Sequence, residues 1–407
     1  MTGTQVSSMN QADLPGGSSA GDTATAPPSA AGSATARRIP AWHLPASVFA
    51  ALLAGFVLTA LVSDQPWRAW LALLTGALPE FHQGADGAWH VRHLVRFGSA
   101  LEDGITLTFL GLAVALPFRA RQFSLGADGQ MFLGGLAAVS LSLALAGGPA
   151  WLVLPLALLA AGVAGGAWGL IPGWMKARFG ASEIVTTLML NLIAVQAYRL
   201  IITEWMRDPQ AGFLATPVLP AALQFAPLIA GTNVSWMLLG VPLAALAAWA
   251  LLMRTTLGLE WRTVGEAPAF AHRMGMPVAR AVMLSMAAGG VFAGLAGAHI
   301  GHGLLKRLPV DLPAGLGLEG LVVALLARHE PRAIPMAAFL YAYLRAGAQA
   351  MERSSDVSRE MVLVIQALII LFVVAQRLWP VDGPGAWLRR WTRRGSRPGS
   401  SRTEVRA

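Results

Sequence analysis

From about residue 45 onward the chain alternates between long apolar runs and short polar connectors, and the runs have helical length. Ten of them, at about 45–63, 100–118, 129–147, 150–171, 183–204, 235–253, 281–299, 317–329, 333–350 and 360–378, are candidates to cross a bilayer. About 20 apolar residues as α-helix cover roughly 30 Å of hydrocarbon. The eighth run is short, which marks it as a half-helix or a broken one. Backbone groups cannot go unpaired in lipid, so helix is the expected spanning element. The alternating ten-residue pattern of a membrane barrel is absent from the sequence. The predicted fold class is all-α: a polytopic transmembrane helical bundle of about ten spans.

Composition agrees. Hydrophobic residues make up 55% of the 407 and charged ones 13%, about half the charge of an ordinary soluble domain. The complete lack of cysteine excludes a disulfide scaffold and any Cys-based zinc or iron–sulfur site. The only lysines, Lys176 and Lys306, do not follow a glycine, so there is no Walker A loop to hold a nucleotide.

The ends differ from the middle. Residues 1–40 are rich in Ser, Thr, Ala, Gly and Pro and bury too little surface to offset ordering entropy, which predicts a disordered tail. The first apolar stretch, near Ala46, comes too late and runs too long for a cleavable signal. A transmembrane domain then fills 41–380, followed by a basic tail over 381–407. From Arg377 onward eight Arg face Asp382 and Glu404, which accounts for +6 of the net +9. Such a tail after a span reads as a cytoplasmic anchor beside anionic membrane lipid. With two tryptophans for stacking it offers no nucleic-acid face. Ten spans with both termini cytoplasmic put twenty of the thirty Lys and Arg residues inside, as the positive-inside rule requires.

Four stretches carry polar residues where lipid compatibility alone would not. In FSLGADGQMFLGGL, Gly126 and Gly129 bracket Asp128, and Gln130 opens an apolar helix. Asp128 can cap that helix, or the segment can be a re-entrant break beside a pathway. In FGASEIVTTLMLNLIAVQ, Ser182 and Glu183 suit a helix start, and Asn191 lies two turns in, as interhelical glue or as a solute contact. The loop 254–280 is basic and holds Trp261, Phe270, Met274 and Met276, expected as exposed apolar surface for a soluble partner. From Gly294 to Gln376, Gly294 and Gly297 suit close helix approach. His299 and His302 lack a carboxylate at metal-ligand spacing, and Glu319 and Gln366 stand polar within apolar runs.

Together FSLGADGQMFLGGLAA, ASEIVTTLMLNLIA, LGLEWRTVGEAPAFAHRMGMPV, GLGLEGLVVALLARHEP and VIQALIILFVVA resemble the permease subunit of ATP-binding-cassette importers. The branch is the one serving simple sugars and nucleosides, and the nearest in pattern are permeases paired with basic membrane lipoproteins. The resemblance implies a multi-pass subunit of the bacterial inner membrane with no cofactor and no chemistry of its own. ATP would be bound by a partner ATPase. A second permease subunit, a paralogue by family habit, and an extracytoplasmic binding protein or lipoprotein would complete the complex. It also implies that Gly265, Glu266, Ala267, Arg273 and Gly275 form the coupling element to the ATPase. Gln130, Asn191, Glu319 and Gln366 are the expected substrate-pathway residues, and Gly126, Asp128 and Gly129 the helix-break motif. The alternative, an ion-coupled secondary transporter, would need intramembrane carboxylates as relays, and Glu319 is the main one visible.

Overall fold

The computed structural model describes residues 53–61, 63–83, 89–92, 94–229 and 231–375. The predicted N-terminal tail, the start of the first span and the basic tail lie outside them. A first helix, α1, covers 53–61. Helix α2 (Pro66–Thr75) opens on a proline in its first turn, where no intrahelical N–H is needed. Strands β1 (Glu80–Gln83) and β2 (Trp89–Arg92) pair antiparallel with Phe81 opposite Val91. This short hairpin is a local addition to an otherwise helical chain, so the helical-bundle class stands among the described residues. Its four-residue strands are too brief to show an alternation in sequence.

The helices that follow are α3 (Leu94–Arg119), α4 (Ala127–Ala144), α5 (Ala150–Phe179), α6 (Glu183–Trp205) and α7 (Met237–Arg254). Two short helices, α8 (Thr256–Glu266) and α9 (Pro268–Arg273), precede α10 (Val278–His299), which runs on into a π turn at Ile300–Leu304. Then come α11 (Leu316–Leu326), α12 (Ile334–Ser354) and α13 (Arg359–Ala375). Among the described residues five helices have the length and apolar character to cross a bilayer: α3, α5, α6, α7 and α10 with its π turn. The eighth predicted span is the eleven-residue α11, about 16 Å long at 1.5 Å per residue, a half-helix as its short apolar run suggests.

Helix α3 is the centre, buried on every side from Ile105 to Pro117, as expected for a helix apolar all round. Helices α10, α11 and α12 pack on it, and α10 in turn packs against α4 and α5 at close range. A Cβ on Gly294 would strike the Ala161 carbonyl, and one on Gly297 the Met131 carbonyl, so both glycines are there for helix approach. Helix α6 is the opposite case. It buries only Thr187, Ala194, Tyr198 and Ile202 and turns Leu188, Leu192 and Ile193 outward. Helix α13 joins a separate cluster with α2 and α12, built on Trp70, Leu73, Met351 and Ile365. That placement leaves a gap between α13 and α11.

Candidate functional site

The chain leaves α3 at Arg119 and stays irregular until α4 begins at Ala127. Irregular backbone among spans needs partners from the protein, and α6 supplies them. Asn191 accepts from the Gly129 N–H at 2.9 Å and donates to the Leu125 carbonyl at 2.7 Å, while the Thr187 hydroxyl accepts from the Leu125 N–H at 3.3 Å. A Cβ on Gly129 would lie 2.9 Å from the Asn191 amide oxygen, so the splint requires glycine there. Gln130 is buried next to Gly126 and Gly169.

Asp128 does not cap its own helix, contrary to the local expectation. The N-cap of α4 is Gly126, without a side-chain bond, and the Asp128 carboxylate accepts from the Gly317 N–H at 2.7 Å and the Gly315 N–H at 3.3 Å. It thus caps α11, which starts from Gly315 at a left-handed φ of 106°. Lying in the first turn of α4 as well, the carboxylate sits between two helix N-termini, both of which favour an anion. Sequence reasoning sees only the nearer one. Ser182 likewise precedes α6 without a side-chain cap bond.

A cleft of about 680 Å³ opens between α11, α12 and α13. Helix α12 runs from Tyr341 to Glu352 along it and α13 returns from Arg359 to Leu371, so one end holds Glu352 and Arg359. The other end holds Tyr341, Leu325 and Leu371. Midway, Glu319 accepts from the Arg345 guanidinium at 2.8 Å, and Asp103 of α3 stands 4.0 Å from the same guanidinium. Arg345, Gln349 and Glu352 recur on one face of α12. The cleft therefore brings Glu319 and Gln366 together, whereas Gln130 and Asn191 stay at the break. Arg345 is the partner that sequence reasoning missed. The available signal was a lone guanidinium in a span, which needs a counter-ion.

A second buried pair was also invisible locally. His299 Nε2 lies 2.9 Å from the Glu102 carboxylate, and both side chains are fully buried. His299 Nδ1 and the Thr106 hydroxyl share a hydrogen bond at 3.0 Å, and the same hydroxyl lies 3.2 Å from the Glu102 carbonyl. Nε2 also lies 3.3 Å from the Ser235 hydroxyl. Glu102 also accepts from the Ser235 N–H at 2.6 Å, which ties the segment before α7 to α3 and α10. His302 donates through Nδ1 to the Ala298 carbonyl at 3.1 Å and meets the Ser142 hydroxyl at 2.8 Å through Nε2. The carboxylate absent near these histidines in sequence comes from α3, and among the described residues no group of three His, Asp or Glu converges for a metal.

At the end where α3 stops, α8 and α9 form an elbow. The Thr255 hydroxyl caps α8 by accepting from the Gly258 N–H at 3.2 Å. Helix α8 packs on α7, α10 and α3. Trp261 is buried at 1% exposure, against the expectation of an exposed ring, because it roots this helix in the core. Gly265 lies so close to the Arg119 carbonyl that a Cβ would collide with it. Beyond that root Glu266, Ala267, Arg273 and Gly275 are exposed, together with Phe270 at 54% and Met274 at 63%. Ala271, fully buried, pins α9 from beneath, and Gly275 takes the left-handed φ of 74° that turns the chain into α10. Cations gather at this end: Arg119 pairs with Glu330 at 2.8 Å, and Arg332 covers the Trp249 ring at 3.6 Å.

Residues 97–374 match the family described as branched-chain amino acid transport system / permease component. The guanosine ABC transporter permease protein NupP of Bacillus subtilis is 38% identical over 274 residues, 65% of this chain and 77% of that protein. The glucose ABC transporter permease protein TsgB13 of Haloferax volcanii is 30% identical over 371 residues, 84% of this chain and 90% of its own length. The nucleoside ABC transporter permease protein NupB of Lactococcus lactis is 30% identical over 334 residues, 77% of this chain and 90% of its own length.

Proposed function

Because this chain belongs to the branched-chain amino acid transport system / permease component family, we propose that it carries a nucleoside or a simple sugar across the bacterial inner membrane. It is the permease subunit of an ABC importer. The solute classes are those of the guanosine, nucleoside and glucose permeases to which it is similar. ATP is bound by a partner ATPase, a second permease subunit completes the translocation unit, and an extracytoplasmic binding protein or lipoprotein delivers the solute. The elbow end faces the cytoplasm, a reading supported by Arg119, Arg254 and Arg332 at that end and by the positive-inside rule.

The observation that carries the proposal is the α8–α9 elbow, rooted by Trp261 and Gly265 and exposed at Phe270, Arg273 and Met274. A rigid knob with exposed apolar and charged tips seats in a soluble partner and passes force to α3, α7 and α10. ATP drives the cycle only through its different affinity for the two states of the complex. The test is the double variant Glu266→Ala with Arg273→Ala in the full complex. ATP hydrolysis should continue without solute uptake while the subunits still co-purify. Uptake at the wild-type rate would remove the elbow from the coupling path.

A further inference from the structure

The cleft between α11, α12 and α13 is graded along its length, and the grading carries an inference that rests on the permease reading above. Its end away from the elbow is ionic, with Glu352 and Arg359. Its middle holds the Glu319–Arg345 pair and Gln366, and the end toward the elbow is apolar, with Tyr341, Leu325 and Leu371. The four charges that line it cancel. Arg345, Gln349 and Glu352 form a polar stripe along α12 that lines the cleft, and such a stripe suits water or a polar solute. Arg345 is already held by Glu319 at 2.8 Å and has Asp103 at 4.0 Å, which leaves the Glu319 carboxylate with free acceptor capacity toward the cleft.

We propose that this cleft is the solute site of the permease, that Glu319 and Arg345 read the hydroxyl groups of an uncharged solute, and that Tyr341 at the apolar end receives its flatter, less polar ring. The solute enters from the ionic end and lies with its hydroxyl-bearing part midway and its ring toward the elbow. Glu319 accepts from two adjacent hydroxyls and fixes Arg345 for a ring carbonyl. A sugar hydroxylated on every side would leave polar groups unpaired against Leu325 and Leu371, which costs binding. A solute polar at one end satisfies both halves of the cleft.

The experiment uses the complete complex of both permeases, ATPase and binding protein in vesicles, with radiolabelled inosine, 2′,3′-dideoxyinosine and glucose as probes. A site built to bond hydroxyls rejects an analogue that lacks them. The wild type should take up inosine in preference to the dideoxy compound, and Glu319→Gln should narrow that preference about tenfold. The binding protein is the same in both, so a change in the ratio belongs to the cleft. A ratio unchanged in Glu319→Gln overturns the assignment. If the pair only holds helices together, the exchange Glu319→Arg with Arg345→Glu will restore the wild-type ratio, and that rescue also overturns it. ATP-driven uptake of glucose without inosine defeats the orientation while the permease reading stands. Uptake of neither probe under ATP defeats the permease reading itself.

Discussion

Replacing Asn191 with leucine isolates what holds the break between α3 and α4. The substitution removes the acceptor for the Gly129 N–H and the donor to the Leu125 carbonyl, at 2.9 and 2.7 Å. Each buried group left unpaired costs about 1–3 kcal/mol, so the pair amounts to about 2–6 kcal/mol. Side-chain bonds between spans average nearer 0.6 kcal/mol, because the groups find other partners in the unfolded-in-membrane state. Here the orphans are the Leu125 carbonyl of the irregular segment and the Gly129 N–H in the first turn of α4, neither of which has an intrahelical partner, so the larger range applies. A chain of this size loses about 2 °C of Tm per kcal/mol, which puts the expected drop at roughly 4–12 °C in thermal unfolding of the purified complex. Asn191→Asp keeps the acceptor and loses the donor, and should fall about halfway. Uptake should decline with the amount of folded protein while KM holds. A leucine variant within a degree of the wild type, or one with normal stability and a KM raised tenfold, would refute the splint.

Gly265→Val places a side chain against the Arg119 backbone, an overpacking of about 1–3 kcal/mol, and should displace the elbow enough that the ATPase no longer co-purifies. Arg119→Ala removes bonds to the His329 carbonyl at 3.1 and 3.2 Å and a partly exposed pair with Glu330. Screening keeps that pair below about 1 kcal/mol, so Tm should barely move, while ATP hydrolysed per solute carried should rise. Asp356, beyond the end of α12, accepts from the Ser63 hydroxyl at 2.6 Å and the Asp64 N–H at 2.8 Å, and these bonds hold its carboxyl below the usual range. Its contribution is full above the ordinary aspartate value of about 4 and vanishes as pH falls through its lowered value. Tm should therefore drop below pH 4 more steeply in the wild type than in Asp356→Asn.

Much of this architecture is written in local patterns. Helices α5 and α6 begin within a residue of the predicted runs at 150 and 183, because uninterrupted apolar sequence permits little else in lipid. The eleven-residue α11 shows as a short run for the same reason. What escapes is whatever depends on a distant partner. Asp128 precedes an apolar helix and reads as its cap, yet its bonds go to residues 187 and 189 positions away. Trp261 in a polar loop reads as exposed until the close seat of Gly265 on α3 carries it inward. Glu102 and His299 stand nearly two hundred positions apart and meet at 2.9 Å. Spacing rules look along one helix, and these contacts are made across three.

Those distant contacts have a common member. Helix α11 presents Glu319 to the cleft, its first turn is capped by Asp128 of α4, and the turn after it lies on α3. Phe118 stacks on His329 at 3.7 Å there, one residue from the Arg119 carbonyl that Gly265 of the elbow approaches. An eleven-residue helix held at both ends and packed along α3 moves as a strut, since packed interfaces shift between discrete arrangements and do not stretch. In the coupling proposed above, displacement of the elbow against Arg119 would reach Glu319 within a helix length of about 16 Å. A full-length span in the same place would be fixed by lipid at both faces. On the proposed function, the break at 120–126 and the shortness of α11 would act as two halves of one device, letting a polar cleft be reshaped from the end where the ATPase docks.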